Sequence, residues 1–177
     1  AEQTGIFVEK MADFFRYNVK KGQEDATLGE ELEAVDNYIY ILNVRFAGDI
    51  HFSKDVDESL ENVRVPSMIL QPVVENAVNH GIRDIEWEGK IHLTVTGDAD
   101  YIRISVKDNG KGMTPEQIEG VLTGNKKYKK EEGDSTGIGM NNVISRLELY
   151  YEETGLVEIN SEGEGKGTEV VIYIPVN

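Results

Sequence analysis

Cysteine is absent from all 177 residues. That excludes a disulfide framework, a thiolate zinc site and a cysteine nucleophile, and it fits a reducing compartment. Positive charge is scarce: 18 Lys and Arg stand against 33 Asp and Glu, for a net charge of −15. A field of that sign repels nucleic acid and anionic membrane surfaces, so neither is expected as a partner. It also makes any local basic cluster conspicuous. No run approaches the roughly 18 apolar residues that suggest a membrane-spanning helix, so no segment here is expected to span a membrane. The first residues, Ala-Glu-Gln, lack the basic segment and apolar run of a signal peptide. They read as the start of a fragment whose membrane anchor lies elsewhere. There is no fixed-period repeat and no low-complexity tract.

Apolar residues make up 39% of the chain, enough for the core of one domain with a short helical appendage. The chain changes character near residue 50. Phe7, Met11, Phe14 and Asn18 follow helical spacing, and Gly22 after Lys20 and Lys21 marks a helix end. Thr27 with Glu30 forms a capping box for a second helix. Its stripe of Leu28, Leu32, Val35, Ile39, Leu42 and Phe46 puts six apolar residues on one face. That face suits ordinary core packing, or in part the seam of a larger helical bundle.

Beyond residue 49 the pattern is mixed. Residues 51–56 alternate weakly, as an edge strand would. Pro66 suits the first position of a helix over residues 67–80. Residues 91–96 and 101–107 alternate with period two around a Gly-Asp-Ala-Asp turn and predict a hairpin. Thr114-Pro115 opens another helix, with Gln117 at the box position. Residues 120–135 are polar and lysine-rich, hence a loop. Residues 138–151 predict a helix, and 156–161 and 168–176 two last strands. The order fits one mixed sheet with helices on one face.

Three segments carry chemistry. Leu70-Gln-Pro-Val-Val-Glu-Asn-Ala-Val-Asn-His-Gly-Ile82 places Asn76, Asn79 and His80 within about one helical turn, with Glu75 about 100° away from Asn76. Polar groups on an apolar helix need partners, and an amide oxygen suits Mg²⁺. Alone, the same residues also suit a solvated helix end. Val106-Lys-Asp-Asn-Gly-Lys-Gly-Met113 puts Asp108 at a strand end, where a carboxylate can accept from an exocyclic amine. Gly110 and Gly112 let the backbone approach a flat ligand. Alone, this is an ordinary Asp-Asn-Gly turn. Thr136-Gly-Ile-Gly-Met-Asn-Asn142 sets two glycines before a helix N-terminus, which favours phosphate. Neither the Walker nor the dinucleotide glycine spacing occurs.

Together and in this order, the segments resemble the GHKL superfamily of ATP-binding domains, which includes histidine kinases. The asparagine helix resembles its N box, and Asp108-Asn-Gly-Lys-Gly112 its first glycine box. Gly137-Ile-Gly139 and Gly165-Lys-Gly-Thr168 resemble the second and third. Phe15-Arg-Tyr17, Thr27-Leu-Gly-Glu-Glu-Leu-Glu33 and residues 38–46 further resemble the linker of LytS/YesM-type sensor kinases.

The resemblance implies an α+β fold, a two-layer α/β sandwich of the Bergerat ATP-binding type, preceded by two helices. It implies a division into residues 1–47, a remnant of the dimerisation and phosphotransfer region with its linker, and residues 48–177, the catalytic domain. ATP and Mg²⁺ are the implied cofactors. Asn76 would ligate the metal, and Glu75, Asn76 and His80 form the candidate catalytic set. Asn79 and His80 would lie near the phosphates, while Asp108 would hold the adenine amine with help from Thr168. The remaining nucleotide contacts would come from Gly110, Gly112, Met113, Thr136, Gly137, Ile138, Gly139 and Met140. Residues 114–136 would form a lid whose Lys126 and Lys127 could help neutralise the triphosphate, although a solvated basic loop has the same composition.

Two departures qualify this reading. Water-using ATPases of the superfamily carry a catalytic Glu where this chain has Pro72, which cannot act as a base. That points to transfer rather than hydrolysis. The acceptor histidine of such kinases is followed by Phe and Asn on an upstream helix. His51, His80 and His92 match no such motif, so the acceptor is expected outside this chain. A response regulator and a homodimer are the partners implied for the whole protein. An anti-sigma-type serine kinase, a hydrolytic ATPase of the superfamily and a non-catalytic nucleotide-binding module are the alternatives.

Overall fold

Period-two alternation builds the centre of the sheet. The chain was studied as a computed structural model that describes residues 1–19, 25–45, 50–124 and 136–176, without the side chains of 136–138. The hairpin runs as β4 (Gly89–Gly97) and β5 (Tyr101–Asp108). In β4, Ile91, Leu93 and Val95 are buried while Lys90, His92 and Thr96 are exposed, so one face of the sheet takes the core and the other meets solvent. With β2 (Ile50–Val56), β6 (Val157–Asn160) and β7 (Thr168–Pro175) these form a five-stranded sheet of order β2-β4-β5-β7-β6. The edge strand β2 is parallel to β4 and the other pairs are antiparallel, which makes the sheet mixed.

The helices are α1 (Glu2–Val19), α2 (Leu28–Arg45), α3 (Leu70–Asn76), α4 (Pro115–Thr123) and α5 (Thr136–Tyr151). Thr27 caps α2 as expected, accepting from the Glu30 amide at 3.1 Å. Thr114 and Gln117 complete a reciprocal capping box on α4. Leu28, Leu32, Val35 and Ile39 of the α2 stripe are buried in the same core as the sheet, with Leu42 packed at its margin; Phe46 lies outside the described residues. Helix α1 buries none of its residues and leans on α2, where Phe14 stacks on Tyr38 at 6.2 Å.

Three expectations need correction. Pro66 does not open a helix: Met68 takes a positive φ of 59°, and α3 starts only at Leu70. Two-residue strands, β1 (Ala26–Thr27) and β3 (Arg64–Val65), pair antiparallel just before α2 and α3 and set that entry. Gly120 does not begin a loop: it is buried inside α4, which ends at a left-handed Gly124. The N-box helix is not α-helical throughout: past Asn76 it continues as a π turn over Ala77–Ile82.

Candidate active site

The glycine-rich segments meet at the end of the central hairpin. Asp108 closes β5 and faces Thr168 of β7 in register. Both are buried. The Gly110 amide donates to Asp108 Oδ1 at 2.9 Å. Burial pushes the Asp108 carboxyl up to about 6, against the backbone amides of Gly110 and Thr168, which pull it down.

Backbone packs tightly around this carboxylate. The Gly81 carbonyl, in the π turn, accepts from Lys111 N at 2.8 Å. The Gly110 carbonyl accepts from Gly167 N at 3.1 Å. The room that Gly110 and Gly112 leave is taken by protein: a Cβ on Gly110 would lie 1.9 Å from the Gly81 carbonyl oxygen, and one on Gly112 would lie 2.0 Å from that of Gly163. Their close approach is therefore to the chain's own backbone, and Gly112 also needs its positive φ of 74°. The Met113 amide donates to Ser161 Oγ at 3.0 Å, which fixes the strand of chain leading to α4.

In the sequence Gly81 stands out only as part of the asparagine motif. A Cβ there would stand 2.7 Å from the Asp108 carboxyl carbon. Gly81→Ala is expected to push that carboxyl aside and weaken adenine-nucleotide binding about fivefold, measured by titration with a fluorescent analogue.

The helix that carries Asn76 shows the second half of the site. Asn76 Oδ1 is buried and has no hydrogen-bond partner among the described residues. A buried amide oxygen without a donor is costly unless something accepts its lone pairs, and a hard cation does so. The residue therefore fits the metal role. Asn79 is exposed and His80 half-buried in the π turn. Glu75 points elsewhere: it accepts from Gln71 Nε2 at 2.9 Å, and that nitrogen also reaches Asn18 of α1 at 3.3 Å. Burial, then the nearby Glu75 charge, pushes the Tyr38 hydroxyl pKa up.

The second glycine box lies within the first turn of α5 rather than before it, since Thr136 opens that helix. The first N–H groups of a helix lack intrahelical acceptors, so this turn can still receive an anion. Helices α3 and α5 pack together, and Pro72 Cβ sits 3.9 Å from where a Gly139 Cβ would be. The inert ring of Pro72 thus faces the first turn of α5. Met140 is fully buried and belongs to the core. Lys126 and Lys127 lie outside the described residues.

Residues 64–177 match the family model described as histidine kinase-, DNA gyrase B-, and HSP90-like ATPase, and residues 1–50 match one described as histidine kinase. The chain belongs to the histidine kinase-, DNA gyrase B-, and HSP90-like ATPase family. It is 35% identical to the sensor histidine kinase YpdA of Escherichia coli over 93% of the chain and 27% of that protein. It is 29% identical to YesM of Bacillus subtilis, over 98% of the chain and 28% of that protein. LytS of the same organism gives 28% over 99% and 29%. The chain thus spans under a third of these relatives. Its fold is shared with the mycobacterial sensor histidine kinase MprB, at a TM-score of 0.62 and 17% identity over 86% of this chain and 96% of that one. The catalytic domain of histidine kinase ThkA gives a TM-score of 0.59 at 21% identity, over 85% and 93%. As an ATP-binding domain of this family, the region from residue 64 onward carries every glycine box described above. Among the described residues no helix is long and apolar enough to cross a membrane.

Proposed function

We propose that this chain is the ATP-binding catalytic part of a sensor histidine kinase, and that it transfers the γ-phosphoryl group of ATP to a histidine on an upstream helix outside these residues. The observation that carries the reading is the convergence at Asp108. Gly81 of the N-box turn, Gly110 after β5 and Gly167 before β7 are distant in sequence and touch there backbone to backbone. In this reading Asp108 accepts from the adenine amine beside Thr168. Gly110, Gly112 and Met113 shape that pocket. The turn Thr136, Gly137, Ile138, Gly139 and Met140 presents backbone amides to phosphate.

Asn76 would hold Mg²⁺, which when bound neutralises charge on the transferring phosphates. Glu75, Asn76 and His80 make up the candidate catalytic set, with Asn79 near the phosphates and Lys126 and Lys127 in the lid. Pro72 beside Gly139 cannot activate water, which favours transfer over hydrolysis. A neutral imidazole nitrogen needs no base to be nucleophilic. Residues 1–47 then act as linker and remnant of the phosphotransfer region, and residues 48–177 as the catalytic domain. The whole protein would act as a membrane-anchored homodimer with its catalytic part in the cytoplasm, passing phosphate to a response regulator receiver domain.

The test is labelled ATP. This chain should bind an ATP analogue, more tightly with Mg²⁺, and a longer chain with its upstream helix should acquire acid-labile label on histidine. Acid-stable label would indicate a serine kinase, and absence of nucleotide binding would sink the proposal. Asn76→Ala is expected to lower the Mg²⁺-dependent gain in affinity about tenfold while leaving affinity in EDTA nearly unchanged.

A further inference from the structure

The least expected polar group in the molecule is Glu31, on α2. It is 1% exposed, yet it sits far from the glycine boxes in sequence. Its two oxygens accept from three successive backbone amides: Met68 N at 3.0 Å, Ile69 N at 2.7 Å and Leu70 N at 3.2 Å. These are the amides at the entry to α3. Ile69, the residue at that helix's cap position, offers no side-chain hydrogen bond. A carboxylate from another helix therefore does the capping. The same carboxylate accepts from the Tyr17 hydroxyl of α1. Arg146 of α5 donates to Ser67 Oγ at 3.1 Å; burial pushes the Glu31 carboxyl up, against the three amides and the Arg146 charge, which pull it down. One buried carboxylate thus joins α1, α2 and α3, and α3 carries Asn76.

We propose that Glu31 is a positioning residue for the nucleotide site: it fixes the start of the helix that carries Asn76 and ties that helix to α1 through Tyr17. The geometry supplies the reason. Helix α3 is only 7 residues long, so a displacement at Leu70 carries through two turns to Asn76. A buried side-chain cap removes that freedom, because leaving three amides unsatisfied in the core is costly. A second contact runs in parallel. Asn18, one residue after Tyr17, accepts from Gln71, which in turn donates to Glu75 beside Asn76. Both contacts start from the end of α1, so a shift or rotation of that helix reaches Asn76 without crossing the sheet.

The proposal rests on the assignment of Asn76 to Mg–ATP, and the experiment separates the two. The 177-residue chain is titrated with a fluorescent ATP analogue in Mg²⁺ and in EDTA, well below the measured unfolding temperature of each variant. Amide hydrogen exchange is followed at Met68, Ile69 and Leu70. Glu31→Gln keeps the size but only one acceptor oxygen. It is expected to cut the ratio of the two affinities about fivefold, with affinity in EDTA nearly unchanged, and to speed exchange at these amides. Tyr17→Phe keeps all three amide bonds and the ring. It should move the ratio the same way by about twofold, and it decides the matter if Glu31→Gln does not fold. An unchanged ratio in the folded variants overturns the proposal. So does an equal loss in Mg²⁺ and EDTA, which marks a general structural role. A wild-type chain that binds the analogue no better in Mg²⁺ than in EDTA removes the assignment of Asn76 itself, and the proposal with it.

Discussion

Asp108→Asn should act in opposite directions on stability and on binding. The wild-type carboxyl titrates at about 6 because burial disfavours its charge. A carboxyl whose folded pKa lies above its unfolded one helps stability below the unfolded value, and that help is lost as pH rises through the folded value. The wild type should therefore lose about 2 kcal/mol relative to Asp108→Asn between about pH 4.5 and about pH 8, read from urea unfolding at each pH. In the proposed function the charged form is the one that accepts from the adenine amine. Replacing a charge-assisted acceptor by a neutral amide should weaken binding at neutral pH by about ten- to a hundredfold. The wild-type affinity should fall as pH drops through about 6, by up to about tenfold per unit, since protonation removes the acceptor's charge. The variant should lack that step. Taking the difference between the two proteins cancels the titration of the nucleotide's own phosphates. A variant with the same pH profile as wild type would remove Asp108 from the adenine site.

Much of this site was legible because its elements are local. Alternation around Gly-Asp-Ala-Asp gives the hairpin that ends at Asp108, and Thr114 with Gln117 gives the box that starts α4. The glycine boxes were found as spacing, but their physical role was read as room for a ligand. At Gly110 and Gly112 the room is for carbonyls of the chain itself. That distinction depends on contacts between residues far apart, which no local pattern records. Glu31 escaped for the same reason: its three donors lie 37 to 39 residues away. A signal was nevertheless present. Glu31 stands three residues after Leu28 and next to Leu32, on the apolar stripe of α2, and a carboxylate on a buried stripe needs donors from elsewhere. The late start of α3 after Pro66 is the same event seen from the other end. With Glu31 supplying the cap, residues 66–69 need no helical hydrogen bonds of their own. The π turn left no trace in the sequence, because Val73, Val74, Ala77 and Val78 fit α-helical spacing as well.

Helix α2 also changes how the division near residue 47 is understood. By composition the first 47 residues look like a separate lead-in. In the fold, Leu28, Leu32 and Val35 share one core with Ile69, Val73 and Leu147. Only α1 stands apart, with Val8, Phe15 and Val19 exposed. Among the described residues, α1 reaches the N-box helix through Tyr17 and Asn18. A displacement of α1 would therefore reach that helix at those two side chains.

Gly110→Ala should be among the most damaging single methyl groups in the described part of the chain. The added Cβ would lie 1.9 Å from the Gly81 oxygen, 2.1 Å from its carbonyl carbon and 2.6 Å from its Cα. All three are backbone atoms, so no rotamer change relieves the clash. Either the π turn lifts away from β5 or the loop after Asp108 moves. Each route breaks the Lys111–Gly81 hydrogen bond and loosens the Gly110 amide from Asp108. The expected loss is about 3 kcal/mol or more in chemical denaturation, at the upper end for an overpacked site. Gly155→Ala is the informative comparison. It has a positive φ of 75°, a constraint Gly110 does not carry, and nothing lies within 4 Å of its Cβ. Only backbone strain remains there, so the loss should be about 1–2 kcal/mol with nucleotide binding intact. If the two variants proved equally stable, the tight approach of the N-box turn to the first glycine box would not exist in solution. The convergence of the glycine boxes on Asp108 would then have no physical basis.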